Sequence, residues 1–134
     1  MKYIINLPWT KPPLSLNDRK HYMAKAKENK TIFNQVLTLA TAAALPKHLN
    51  HVTVQLHYRP ADNRRRDTDN LIASAKPMYD ALSVAGTGKQ PGYGVVQDDD
   101  HIHMSKPEPR IHSHSKGEPP MMWLEITTGD GERR

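Results

Sequence analysis

The sequence predicts an α+β domain in which a small mixed or antiparallel sheet carries two helices on one face. Two observations support this class: apolar residues recur at helical spacing in two separate segments, and they alternate at strand spacing in others. The predicted order is strand, helix, strand, helix, strands. At 134 residues, with no internal repeat, the chain fits one domain over residues 1–134.

The first half of the chain is predicted to form two strands, a loop and a helix. A short strand is expected at residues 3–7, and the proline-punctuated segment 8–30 is expected to be an ordered loop. From about Lys27 the apolar residues repeat at helical spacing until Pro46 ends the run. Residues 52–58 then alternate apolar and polar, which predicts a half-buried strand closed by Pro60.

The second half is predicted to contain one helix followed by short strands. Apolar residues trace a helix face from Leu71 to Ala85, with Gly86 as its stop. Pro77 inside this run predicts a kink or two abutting helical pieces. HIHM and RIHSH are expected as two short strands around the turn SKPEP, followed by a last strand near the chain end. Residues 129–134 are expected to be a frayed tail.

Charge is unevenly distributed along the chain, although the formal net charge is only +5. Residues 1–66 carry twelve Lys or Arg against three acids, a balance of +9, whereas residues 67–134 carry seven against eleven, a balance of −4. A basic half indicates a polyanionic partner and clustered acids indicate a cation site, although solvated helix faces give the same pattern. The chain has no cysteine, which excludes disulfides and thiolate metal sites. Its opening apolar run is too short for a membrane span, so we expect a soluble protein.

The stretch RRRDTDN, Arg64 to Asn70, places three cations directly before two carboxylates. Asp67 and Asp69 flank Thr68, so in an extended segment entering a helix both carboxylates can point to the same side. Mg²⁺ takes such oxygen ligands while keeping waters and substrate phosphate oxygens in the rest of its shell. Ordinary helix capping by the two aspartates is the alternative interpretation.

The arginines favour a phosphodiester substrate. Three adjacent cations cannot all pair with two aspartates on one side, so at least one is expected to be available for a phosphate. A DNA backbone held by arginine beside carboxylate-bound metal is what phosphodiester hydrolysis requires. Lys76, on the following helix, can add a positive charge near the developing negative charge or position the attacking water; it can equally be a solvated helix lysine.

The motifs of this chain resemble those of the RusA family of Holliday junction resolvases. RRRDTDNL, KPMYDAL and VVQDDDHI follow one another in the order of that family's R-D-x-D-N-L, its helix with Lys and D-A-L, and its later D-D before a strand. LPWTKPPLSLNDRKHY is also similar to the family's P-W-x-P-S-N-N-R-Y opening. The match covers most of the chain.

This resemblance implies a set of metal ligands. Asp67 and Asp69 would bind Mg²⁺, for which Mn²⁺ can substitute, and one aspartate of the acidic run would join them. In the family the D-D pair precedes two residues and an apolar one, which selects Asp99 when Ile102 is the apolar position. A one-residue slip would select Asp100 instead. Asn70 matches the D-N of the motif and would orient a ligand.

The family lysine is the main departure from the pattern. It often lies six residues after the first aspartate, at Ala73 here, whereas Lys76 lies nine after it. Three residues are nearly one helical turn, so Lys76 can still face the same side. With Asp67, Asp69 and Asp99 it completes the catalytic set that the resemblance implies.

The resemblance also implies a homodimer that acts on branched DNA, in particular four-way junctions, without a membrane role. We expect a cytoplasmic, nucleoid-associated protein that is bacterial or phage-encoded. Two symmetric nicks need two sites, which a two-fold dimer supplies. The candidates for DNA contact are Lys20, Lys25, Lys27, Arg64, Arg65 and Arg66, with Arg19, Lys106, Arg110 and Lys116 as weaker ones.

Two other functions stay open at this point. His101 and His103, like His112 and His114, alternate on predicted strands and would share a face, which predicts a zinc or manganese site with the nearby aspartates. The same residues would be solvated or touch DNA if no metal binds. Alternatively, the chain is a DNA-binding regulator that does not cleave and therefore does not need the aspartates.

Overall fold

The computed structural model describes residues 1–13, 22–87 and 89–128, and it has the predicted α+β composition. In chain order the elements are β1 (Lys2–Asn6), α1 (Tyr22–Ala43), β2 (Val52–Arg59), α2 (Asp69–Leu82), β3 (Met104–Ser105), β4 (Arg110–Ile111) and β5 (Met121–Thr128). Neither described helix has the length and apolar character needed to cross a membrane.

The five strands form one mixed sheet. β5 lies between β1 and β2 and pairs antiparallel with both. β3 and β4 pair parallel with β2 along its other edge, at Val52–Thr53 and at His57–Tyr58. Parallel neighbours need a crossover connection, and α2 lies in the one that joins β2 to β3.

Both helices pack on one face of the sheet, as predicted. Alternate residues of β2 and β5 are buried in one core with the apolar stripes of α1 and α2. The core includes Ile32, Phe33, Val36, Val54, Leu56, Leu71, Met78, Leu124 and Ile126. The opposite face of β2 and β5 carries Gln55, His57, Trp123 and Glu125, which alternate with the core residues.

The helix boundaries differ from the prediction. α1 begins at Tyr22, so the expected loop is wrong for residues 22–30, where proline is absent and Ala, Lys and Glu favour a helix. α2 is one helix with Pro77 inside it, not two abutting pieces, and it ends at Leu82, before Gly86. Residues 14–21, with Arg19 and Lys20, and the predicted tail 129–134 lie outside the described residues.

The two short strands after the acidic run exist, but they do not form a hairpin. β3 and β4 follow one another along the same edge of β2. Residues 101–103 form a turn because Asp100 Oδ1 accepts the backbone N–H groups of Ile102 and His103 at 3.1 and 3.0 Å. The expectation that His101 and His103 share a strand face is therefore wrong.

Candidate metal and nucleic-acid site

Asp62 binds two of the three adjacent arginines. Its Oδ1 accepts hydrogen bonds from the Arg64 backbone N–H at 3.0 Å, from Arg64 Nε at 3.1 Å and from an Arg66 guanidinium nitrogen at 2.9 Å. The backbone hydrogen bond from Arg64, together with that of the Arg66 side chain, lowers the pKa of Asp62 to about 2. Arg66 also donates to the carbonyl oxygens of Asp62 and Arg64, which fixes the shape of this loop.

Arg65 is the arginine without such a partner. Its side chain is exposed and makes no ion pair or hydrogen bond within the described ranges. Arg64 is also accessible, with 81% of its side chain exposed, although it contacts Asp62. The prediction that at least one arginine is available for a phosphate is consistent with this geometry, but the aspartate that binds the others is Asp62.

Asp67 and Asp69 are both exposed at the start of α2. Asp67 Oδ1 accepts the backbone N–H of Asp69 at 3.1 Å, so one carboxylate stabilises the first turn of the helix. Thr68, the N-cap residue, makes no side-chain cap and instead donates its hydroxyl to Glu108 Oε2 at 3.0 Å. Across the part of the chain that is described, neither Asp67 nor Asp69 has a cationic partner.

The loop after α2 returns the chain to the helix. The backbone N–H of Tyr93 donates to the Ala81 carbonyl at 2.7 Å, and that of Val95 donates to the Leu82 carbonyl at 2.8 Å. Gly92 is required here because a Cβ at this position would lie 2.2 Å from the carbonyl oxygen of Ser83. The loop satisfies carbonyls at the helix end and delivers the acidic run to α2.

The three aspartates of the acidic run have different partners. Asp98 Oδ1 accepts the Asp99 backbone N–H at 2.7 Å. Asp100 Oδ1 lies 2.7 Å from His103 Nδ1, and this contact lowers the pKa of Asp100. Asp99 alone of the three contacts α2, through an ion pair with Lys76 at 2.7 Å. Asp100 instead caps the following turn. Because both aspartates already have partners, the choice between Asp99 and Asp100 as third metal ligand stays a prediction.

Lys76 is bound by two carboxylates, one of which the sequence analysis missed. Its Nζ lies 3.0 Å from Asp80 Oδ1, one helical turn along α2, as well as 2.7 Å from Asp99 Oδ2. Lys106 adds a second ammonium: its Nζ donates to the Asp99 carbonyl at 2.6 Å and lies 4.0 Å from Asp99 Oδ2. The signal for Asp80 was present in the sequence, since Lys76 and Asp80 stand at i and i+4.

Burial and ion pairing act in opposite directions on this cluster. The side chains of Asp80 and Asp99 are only 17% and 13% exposed. Burial raises the pKa of Asp80, against the effect of its hydrogen bond with Lys76. Burial also opposes ionisation of Asp99, but its hydrogen bond to Lys76 and the charge of Lys106 leave its pKa lowered. Despite partial burial, both carboxylates raise the pKa of Lys76. Asp99 therefore ionises at a lower pH than Asp80.

The predicted metal ligands fall into two groups. In residues 1–13, 22–87 and 89–128, no three His, Asp or Glu side chains lie close enough to hold a metal ion together. Asp99 is thus not gathered with Asp67 and Asp69. The latter two fit Mg²⁺ by their chemistry, since they are exposed oxygen donors without a cation, and Mg²⁺ commonly binds one or two carboxylates plus water and phosphate oxygens.

The histidines form a structural contact that the sequence analysis did not foresee. His57, which is only 6% exposed, places its Nδ1 2.8 Å from His112 Nε2 and stacks on Trp123. Burial lowers the pKa of His57 and of His112. The His57 Nε2 atom has no hydrogen-bond partner and lies 3.9 Å from Glu125 Oε1. His112 therefore contacts His57 of β2 and Trp123 of β5, and not the aspartates with which a metal site was predicted.

The other residues predicted to contact DNA or to orient a metal ligand lie on different elements. Lys25 is half-buried and Lys27 exposed on α1, while Arg110 and Lys116 are exposed elsewhere. The Lys106 Nζ atom lies 5.3 Å from the centre of the Tyr79 ring and donates a hydrogen bond to the Asp99 carbonyl oxygen. Asn70 is half-buried in the first turn of α2. Their roles in DNA or metal binding stay predictions.

Neither a protein-family model nor a curated protein sequence matches this chain. The functional assignment therefore depends on the residues and on their arrangement.

Proposed function

We propose that the chain is a Mg²⁺-dependent endodeoxyribonuclease that nicks four-way DNA junctions as a homodimer. The observation that supports this most directly is the exposed pair Asp67 and Asp69, which has no cationic partner within the described ranges although three arginines precede it. Two adjacent unneutralised carboxylates attract a divalent cation, and their oxygen ligands suit Mg²⁺. Capping explains part of the role of Asp67 and leaves the carboxylate of Asp69 unused.

Arg65 is the proposed contact to a DNA phosphate. Arg64 and Arg66 both contact Asp62. Arg65 is the arginine of this segment whose side chain has no ion pair or hydrogen bond within the described residues, and it stands two residues before Asp67. A guanidinium group binds phosphate oxygens in a bidentate manner, so Arg65 would hold the backbone beside the proposed metal ligands.

The proposed catalytic roles follow from these positions. Asp67 and Asp69 would hold Mg²⁺. Asp99, which shares the Lys76 ammonium with Asp80, would join them as third ligand only if the acidic run moved toward the start of α2 and gave up that ion pair. Bound Mg²⁺ supplies Lewis-acid polarisation of the phosphodiester and lowers the pKa of an attacking water. Lys76, once released, would stabilise negative charge on the phosphate.

The proposed dimer supplies the second cut. A junction is resolved by two symmetric nicks, and one chain carries one copy of the RRRDTDN segment. Two-fold association places two equivalent sites on one junction. The motif resemblance to the RusA family is what selects a four-way junction over other branched DNA, and it places the protein with the DNA in the bacterial cytoplasm.

A DNA-binding regulator that does not cleave is the second candidate. The observation that favours it is the pairing of Asp99 with Lys76 at 2.7 Å and with Lys106, which occupies the carboxylate that catalysis would need. In that case the basic residues bind DNA and the aspartates stabilise the fold.

One experiment separates the two candidates. Wild-type protein and the variants Asp67→Asn, Asp69→Asn and Asp99→Asn are incubated with a mobile four-way junction, a flap and a linear duplex, with Mg²⁺ or EDTA. We expect each variant to lose at least about 100-fold in Mg²⁺-dependent nicking, because the metal contributes several kcal/mol to such a reaction. Junction binding measured in EDTA should persist, since removing negative charge near phosphates does not weaken attraction.

Glu118→Gln is the matched control, because it removes a surface carboxylate that pairs with Arg59 at 3.1 Å and belongs neither to RRRDTDN nor to the acidic run. It should nick like the wild type. Full activity of all three aspartate variants would refute the mechanism. A wild-type protein that binds junctions without cutting them in Mg²⁺ or Mn²⁺ would select the regulator.

A further inference from the structure

Asp80 is the charged residue of the lysine cluster to which neither the motif resemblance nor the proposed mechanism gives a role. It lies on α2 one turn after Lys76, and its Oδ1 is 3.0 Å from Lys76 Nζ. Only 17% of its side chain is exposed, because the returning loop packs over this end of the helix. Its carboxylate therefore has a fixed position.

Lys76 needs such an anchor. Its side chain is 63% exposed, and an unrestrained lysine samples many rotamers at an entropic cost when one is selected. Two carboxylates from different parts of the chain, Asp80 on α2 and Asp99 after the loop, hold the ammonium in one place. A single exposed ion pair would restrain it weakly, whereas two partly buried partners restrain it in direction as well as distance.

Asp80 cannot act as a ligand alongside Asp67 and Asp69. It follows Asp69 by eleven residues on the same helix, which is about 16 Å along the axis. Any influence of Asp80 on a reaction at Asp67 and Asp69 must therefore pass through the side chains it contacts, which are Lys76 and, on the same ammonium, Asp99.

We propose that Asp80 is a positioning residue that holds the Lys76 ammonium, both while it pairs with Asp99 and once Asp99 is released, and so sets where that ammonium meets the DNA phosphate. This inference rests on the proposed nuclease function for its effect on catalysis, but the positioning itself is independent of any activity. Asp80 contributes geometry, and Lys76 contributes the charge.

The test combines a chemical measurement with a kinetic one. Acylation of lysine side chains by a water-soluble reagent is followed by mass spectrometry in the wild type, Asp80→Asn and Asp80→Glu, with exposed Lys27 as the internal reference. In the wild type Lys76 should react more slowly than Lys27. Asp80→Asn should speed Lys76 acylation several-fold relative to Lys27, and Asp80→Glu should restore protection, because Glu at i+4 also pairs with lysine.

The kinetic measurement follows junction nicking in the same variants and in Lys76→Ala with and without Asp80→Asn. Asp80→Asn should lower kcat about tenfold while KM stays within about twofold, as expected for a group that orients a catalytic neighbour. The double variant should be no slower than Lys76→Ala alone, since both changes remove the same contribution.

The outcomes are distinguishable. Unchanged Lys76 acylation in Asp80→Asn, or equal reactivity of Lys76 and Lys27 in the wild type, overturns the inference whether or not DNA is cut. Additive losses in the double variant also overturn it. If the wild type fails to nick junctions, the proposed function is refuted, and the acylation rates still decide whether Asp80 positions Lys76.

Discussion

Two pairs of aspartates in this protein meet opposite surroundings. Asp80 and Asp99 are shielded from solvent and share the ammonium of Lys76, with that of Lys106 close by. Asp67 and Asp69 are exposed and have no cation within the described residues, although arginines precede them directly in the sequence. Asp67 and Asp69, which follow three arginines in the sequence, are thus the unpaired carboxylates. Asp80 and Asp99, which have no basic neighbour directly beside them in the sequence, are the ones that form ion pairs.

The difference shows that charge pairing follows side-chain direction and not sequence distance. Asp62 binds the side chains of Arg64 and Arg66, two and four residues along the same loop. Lys76 and Asp80 are spaced by four on a helix and also pair. Asp67 and Asp69 form no ion pair within the described residues, so their charge is available to an external cation.

The largest expected effect on stability comes from disturbing the loop at Gly92, which brings Asp99 to Asp80 and Lys76 and leaves Asp67 and Asp69 untouched. Gly92→Ala would place a Cβ 2.2 Å from the Ser83 carbonyl oxygen and 2.6 Å from those of Ala81 and Asp80. These are backbone atoms that cannot swing away, so we expect a loss of about 3 kcal/mol in the free energy of unfolding. Chemical denaturation followed by circular dichroism measures it.

Gly117→Ala is the matched control for that change. Its φ is +86°, and nothing lies within 4 Å of an added Cβ. It should therefore lose only about 1 kcal/mol, from backbone strain. Equal losses at the two glycines would show that the close approach at Gly92 does not hold the acidic run on α2.

A smaller loss of stability is expected when one aspartate of each pair is replaced. Asp99→Asn removes the partner of Lys76 at 2.7 Å and should lower the free energy of unfolding by about 2 kcal/mol, as for a hydrogen bond to a charged group. Asp69→Asn should lower it by about 0.5 kcal/mol, through the helix dipole alone. Urea unfolding of both variants gives the comparison, and a larger loss for Asp69→Asn would contradict it.

The smallest effect concerns the arginines. Arg65→Gln should reduce the slope of log binding constant against log salt concentration by about 1, because one phosphate contact is lost. Arg66→Gln should change the slope less, since Asp62 already binds that guanidinium. Titration of a fluorescent junction at several salt concentrations tests this, and equal slopes for Arg65→Gln and the wild type would remove Arg65 from the contact.

The fold class followed from the sequence because it depends on periodicity. Alternation in residues 52–58 and helical spacing from Leu71 to Leu82 identify faces that must be buried, and those faces form the core. Boundaries were less accurate. The start of α1 at Tyr22 follows from local helix propensity that the prediction passed over, whereas the passage of α2 through Pro77 depends on packing that no local pattern reports.

The candidate site was predicted in part. Asp67, Asp69, Asp99 and Lys76 were selected by motif order. The structure brings Asp99 to Lys76 and Asp67 to Asp69, but within the described residues it does not gather the three aspartates into one metal-binding group. The alternation in residues 52–58 puts His57 on the strand face that points away from the core. Trp123 and His112 nevertheless cover its side chain on that face. Such burial arises from neighbouring strands, which the local sequence does not contain.

The sequence by itself determined the α+β class, the absence of thiolate chemistry and the residue types from which an acidic and basic site can be built. Those properties depend on composition and local periodicity, which each segment carries alone. Only the tertiary structure decided which charges pair. The loop at Gly92 brings Asp99 to Lys76 and Asp80, and Asp62 binds two of the three arginines that precede Asp67 in the sequence. Pairing depends on distance and direction in three dimensions, because Coulomb attraction in water is short-ranged.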